Sequence, residues 1–253
     1  MNISLNSLLN YDIEALDGDI GFIKDVLFDD QQWAVRYLTV DTKRWMPLSK
    51  KVLITPISLQ LLNVADEKVH VSLSKEDVQN SPSIETHKPV SRQFEEVMFD
   101  FFGYGYYWNG LGLWGDFQNP LDLAQQERLQ TQHDAKRDKA TPSDEQDPHL
   151  RSIDELKHYN LVETDGMQGH VHDFILDTDS WRIKYLVIDT RNWLPGGRKT
   201  LLPPEYLESV SWKDQAVFCE LNKQQIKQIP EFDQDKINNE DYLASVHDVF
   251  KAF

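Results

Sequence analysis

Few side chains in this chain stand at spacings that do chemistry. His170-Val171-His172-Asp173 is the best metal candidate, because residues i and i+2 of a strand project to one face and imidazoles suit zinc. Two histidines do not close a tetrahedral site, and no companion cysteine or histidine pair stands at ligand spacing, so neither a metal nor any other cofactor is expected. The carboxylate pairs Asp17/Asp19 and Asp29/Asp30 fall at turn signals, where aspartate binds backbone amides rather than moving protons for catalysis. Gly18-Asp19-Ile20-Gly21 is too short for a phosphate loop and leads into a strand instead of a helix. Cys219 has no cysteine to pair with and lies in the alternating run Ala216 to Leu221, where it reads as a small buried hydrophobe. No catalytic residue can be named, and the chain is not expected to be an enzyme.

Binding chemistry has more to work with. Lys43, Arg44 and Trp45, and again Arg191, Trp193 and Arg198, gather cations around a tryptophan and form candidate contact loops for an anion or an acidic partner segment. The competing reading is a tryptophan that plugs one end of a β-structure under snorkelling basic chains. Tyr104, Tyr106, Tyr107, Trp108 and Trp114 are set among glycines, and an aromatic payload of that size is expected to pack substantially on the barrel–helix units; what it leaves exposed is the candidate partner or seam surface. Nucleic acid is a poor partner, because the net charge is −16 and every long stretch of the chain is acidic. No apolar run approaches the roughly 20 residues that span a bilayer. The first residues lack a basic segment followed by an apolar one, so no transmembrane segment, no secretory signal and a cytoplasmic location are expected.

The elements that position these residues come from a repeat. An offset of 148, Ser4 to Ser152, holds without a gap over about a hundred residues and pairs Tyr11 with Tyr159, Asp25 with Asp173 and Trp33 with Trp181. Its densest part lays Arg36-Tyr37-Leu38-Thr39-Val40-Asp41-Thr42 over Lys184-Tyr185-Leu186-Val187-Ile188-Asp189-Thr190. His170 and His172 meet Phe22 and Lys24 at this offset, a further argument against a metal site. Within each copy the pattern predicts short strands, at 20–28, 33–41, 51–55, 59–64 and 68–73 in the first. Helix starts are signalled by Ser74 with Asp77 and by Asn222 with Gln225. A later amphipathic helix is capped by Ser91 or Asn239, with Phe94, Met98, Phe101 and Phe102 as its apolar residues in the first copy. The predicted organisation is mainly β: two tandem small β-barrels at 1–102 and 151–253, each with a trailing helix. They are joined through 103–150 by an aromatic, glycine-rich connector, a short helix from Pro120 and a flexible polar linker.

The run Arg36 to Thr42 followed by Trp45, its counterpart through Trp193-Leu194-Pro195-Gly196-Gly197, and the Gly-x-x-Gly turn resemble the PRC-barrel family. That family includes the cytoplasmic domain of the photosynthetic reaction-centre H subunit and the C-terminal domain of the ribosome maturation factor. The resemblance implies barrels that dock to other macromolecules without being conventional active sites. The expected role is therefore a protein-interaction or scaffolding module in a stress-related or membrane-proximal assembly, with a protein partner and room for homo-oligomers. Binding of a small ligand at the seam between the copies is the alternative.

Overall fold

The computed structural model describes residues 1–42, 51–82, 90–130, 149–166, 168–190 and 197–253. The chain is mainly β. Its first strands are β1 (Asn2–Ser4), β2 (Asp12–Ala15), β3 (Gly18–Asp29), β4 (Ala34–Asp41), β5 (Lys51–Ile54), β6 (Leu59–Asn63) and β7 (Lys68–Val71). The later ones are β8 (Leu150–Ser152), β9 (Asn160–Val162), β10 (Gln168–Asp177), β11 (Arg182–Asp189), β12 (Lys199–Leu202), β13 (Leu207–Ser211) and β14 (Ala216–Cys219). Helices α1 (Leu5–Leu8), α2 (Lys75–Asn80), α3 (Arg92–Phe102) and α4 (Pro120–Gln130) are followed by α5 (Ile153–Leu156), α6 (Lys223–Gln228) and α7 (Glu240–Lys251).

Local detail recurs at the sequence offset. Asn10 and His158, Trp33 and Trp181, and Glu67 and Gln215 all have positive φ. β-Bulges fall between Ile23 and Asp25 in β3 and between Val171 and Asp173 in β10. Trp33 holds a left-handed conformation that costs an ordinary residue free energy, and its buried ring stacked 5.2 Å from Phe28 offsets that cost. Ser74 with Asp77 and Asn222 with Gln225 form capping boxes on α2 and α6, while Ser91 and Asn239 cap α3 and α7.

Two compact units emerge, and neither is a contiguous half. The N-terminal unit comprises Leu8–Ser152 and Asp179–Trp181; the C-terminal unit comprises Met1–Ser7, Ile153–Thr178 and Arg182–Phe253. In the first, the strand order is β6-β7-β2-β3-β4-β5, and β8 pairs with the far end of β3 through Leu27↔Ser152. In the second, the order is β13-β14-β9-β10-β11-β12, and β1 pairs with β10 through Ser4↔Ile175. Each unit thus takes its extra strand from the opposite part of the chain. An aspartate at the bulge, buried in the second unit and half-buried in the first, receives it: Ser4 Oγ donates to Asp173 Oδ2 at 2.5 Å, and Ser152 Oγ donates to Asp25 Oδ2 at 2.7 Å. The strand pairing is mixed in each unit, because β2–β7 and β14–β9 run parallel.

The sequence predicts closed barrels, yet among the described residues each ladder is open, ending on β5 and β6 in one unit and on β12 and β13 in the other. Pro56 and Pro204 each begin a 3₁₀ turn between those end strands, which redirects the chain and prevents consecutive strands from exchanging ladder bonds. The cores lie on β4 and β11, whose residues are buried on both faces along most of their length. No helix among the described residues is long and apolar enough to cross a membrane.

Candidate interaction site

The most developed constellation of polar and aromatic groups lies in the N-terminal unit, on β4, α3 and the chain that follows α3. Helix α3 begins at the Ser91 cap and ends at Gly103, whose φ of 70° is the left-handed cap glycine adopts freely. The phase of α3 differs from the sequence expectation: it buries Glu95, Met98 and Phe99 and leaves Val97 and Phe101 exposed. A charged residue faces the core because partners wait for it there. Tyr37 and Tyr107 donate their hydroxyls to Glu95 Oε1 at 2.9 and 2.7 Å. Arg92 Nη1 forms an ion pair with Oε2 at 3.0 Å, and His149 Nε2 stands 3.2 Å from the same oxygen; neither contact has hydrogen-bond geometry. Burial, and then the Glu95 charge, hold both tyrosine phenols well above their ordinary pKa, so they stay protonated donors.

The connector folds onto this cluster. Tyr107 sits with the Arg36 guanidinium 3.9 Å and the Arg92 guanidinium 5.3 Å from its ring centre, while Arg92 also lies 4.2 Å from Trp108. Arg36 is buried and donates to Leu113 O at 2.7 Å, to Gln32 Oε1 at 2.6 Å and to Asp29 Oδ2 at 3.3 Å. Trp114 is fully buried, its indole donating to Ser180 O at 2.8 Å. Gly110 permits the fold-back, because a Cβ there would stand 2.4 Å from the Gly115 carbonyl carbon. Tyr104, Tyr106 and Trp108 remain half-buried, with Tyr106 stacked on Trp108 at 4.7 Å. Of the five aromatics expected to pack on the units, Tyr107 and Trp114 are core, and the other three, half-buried, leave only part of themselves as candidate partner surface.

Positions 148 residues later build something different in the C-terminal unit. Arg36, Tyr37, Glu95 and Phe99 are matched there by Lys184, Tyr185, Leu243 and His247. These four residues, with Asn2, Arg182, Pro203 and Glu205, line an open cleft of about 270 Å³. Tyr185 Oη lies 2.9 Å from His247 Nε2, and burial pushes its phenol up to about 12. Tyr107 fills the corresponding place in the other unit.

The remaining candidates are placed plainly. Lys43, Arg44, Trp45, Arg191 and Trp193 lie outside the described residues, as does the polar linker from His133 up to the residue before His149. Arg198 is described, and its guanidinium donates to the carbonyls of Lys227 and Ile226 at the end of α6, which fits a structural role better than anion capture. Cys219 is buried, with its thiol pushed up to about 11 by burial, so it is a poor nucleophile. His170 and His172 do converge with a third group, Asp189, their ligand atoms all within 4.8 Å of one another. The register His170↔Asp189 between neighbouring strands makes that meeting, and sequence spacing could not show it. Lys199 Nζ, however, stands 2.7 Å from His172 Nε2, where a metal ion would have to sit, and burial together with this ammonium lowers the His172 pKa. The donor set does not fit a divalent cation as it stands. Sequence reasoning also missed Arg36, Arg92, Glu95 and His149; the lone charge amid the apolar positions of α3 was the one available signal. Comparison with protein-family models and with curated proteins finds no match.

Proposed function

We propose that this chain is a non-catalytic protein-interaction or scaffolding module of the PRC-barrel type, built by duplication. The observation that carries the reading is the capture of residues 103–117 on β4 and α3. An aromatic, glycine-rich stretch is held there by two guanidiniums and a buried carboxylate, which is the chemistry of peptide recognition performed within one chain. Exposed Val97, Phe101 and Leu111 on the same unit add apolar surface of the kind a partner covers. A small-ligand reading draws on the cleft beside Tyr185, but its volume of about 270 Å³ suits one or two side chains better than a free metabolite.

Native mass spectrometry of gently purified protein, followed by cross-linking, tests the reading. A partner chain at fixed stoichiometry supports it. A small bound mass with no partner chain overturns it in favour of ligand binding.

A further inference from the structure

We infer that the cleft of the C-terminal unit, walled by Lys184, Tyr185, Leu243 and His247, is a receptor for a phenylalanine side chain carried on a segment of a partner protein. This rests on the interaction-module reading and names the chemistry of the partner. In the N-terminal unit the matching residues surround Tyr107: the Arg36 guanidinium is 3.9 Å from its ring centre, the Phe99 ring is 5.7 Å away, and Glu95 accepts its hydroxyl at 2.7 Å. The fold therefore already seats an aromatic ring at this place once, and the second unit offers the same place open.

Differences between the two sites decide the occupant. Leu243 stands where Glu95 stands, so the acceptor that holds a phenol is gone. Polar groups of the lining are engaged within the unit: Tyr185 with His247 at 2.9 Å, Asn2 Nδ2 with Ile237 O at 2.7 Å, Arg182 with Glu205 Oε1 at 3.1 Å and Lys184 with Asp177 at 3.4 Å. A tyrosine hydroxyl entering the cleft would meet leucine where Glu95 accepts the Tyr107 phenol, whereas a bare ring would gain apolar contact with Leu243 and lie near the Lys184 ammonium as Tyr107 lies near Arg36. Leu243, Pro203 and the Tyr185 ring supply the apolar part of the lining, and the volume of about 270 Å³ matches a side chain.

The probe is a synthetic peptide spanning residues 103–117, made with the natural sequence and with Tyr107→Phe, titrated into the isotope-labelled full chain while methyl and imidazole resonances are followed. The chain's own copy of this segment occupies the N-terminal unit, so shifts at Leu243 and His247 report on the cleft. The Phe peptide is expected to bind more tightly than the Tyr peptide by about fivefold or more, the cost of setting a hydroxyl against Leu243 where the N-terminal unit has the Glu95 carboxylate. Leu243→Glu, which restores the missing carboxylate, should reverse the preference. Leu243→Trp, which fills the cleft, should abolish both while leaving the rest of the spectrum unchanged. Absence of shifts at Leu243 and His247 at millimolar peptide, or equal binding to Leu243→Trp, overturns the proposal. A native partner that cross-links only to other faces sinks the cleft and leaves the module reading standing; peptide binding at Leu243 in a chain that has no protein partner does the reverse.

Discussion

Burying the Glu95 carboxylate without compensation would cost several kcal/mol, and what makes its position tolerable is the two hydroxyl donors Tyr37 on β4 and Tyr107 in the connector, with the Arg92 guanidinium beside its other oxygen. Tyr107 contributes twice, through its hydroxyl and through its ring. Tyr107→Phe should therefore lower unfolding free energy by about 1–3 kcal/mol, and Tyr107→Ala by about 3–5 kcal/mol, in urea denaturation. Equal losses for the two would mean that the ring between the guanidiniums contributes nothing. A second buried acid behaves differently. Burial, followed by the Asp165 charge, raises Glu163 from 4.5 to about 8. Between those values the unfolded chain releases a proton that the folded chain keeps, so this group makes stability fall as pH rises, with the penalty complete above about 8. Glu163→Gln should unfold at higher urea than the natural chain at alkaline pH, with the gap closing toward pH 4.5. A gap that is constant with pH would contradict the assignment.

At the scale of elements, β1 and β8 are three residues each, too short to persist by themselves, and each is fixed by a long strand with a bulged aspartate. Asp173 is buried and receives Ser4 Oγ together with the amides of Asn6 and Phe174. Removing the serine hydroxyl leaves a buried acceptor short of a donor. Ser4→Ala is expected to cost about 1–3 kcal/mol. It should also raise amide hydrogen exchange in Ile175–Asp177, the β10 residues that pair with β1; unchanged exchange there would show that the serine does not anchor the strand. The helices teach a related point. Capping at Ser74, Ser91, Asn222 and Asn239 is local chemistry and was readable, whereas the buried face of α3 was misjudged because Glu95 is stabilised by residues far along the chain.

For the whole molecule, the reciprocal strand supply means that neither half of the sequence carries a complete unit. Fragments 1–130 and 149–253, expressed separately, should each lack a strand that their main body needs, and when mixed they should form a one-to-one complex visible by size-exclusion chromatography. Two fragments that stay apart, each as stable as the intact chain, would refute this. The sequence by itself determined the mainly β class, the order and bounds of most strands, the helix caps and the recurrence at 148 residues, because alternation, turn residues and capping pairs act over a few positions. It did not determine that Met1–Ser7 and Leu150–Ser152 change places, that the ladders stay open beside Pro56 and Pro204, or that Asp189 meets His170. Pairing between distant strands leaves no local trace. Tertiary structure alone decided which of the five connector aromatics, Tyr107 and Trp114, are core, and that the matching place beside Tyr185 is a cleft, because the depth of burial depends on what a side chain meets and not on what type it is.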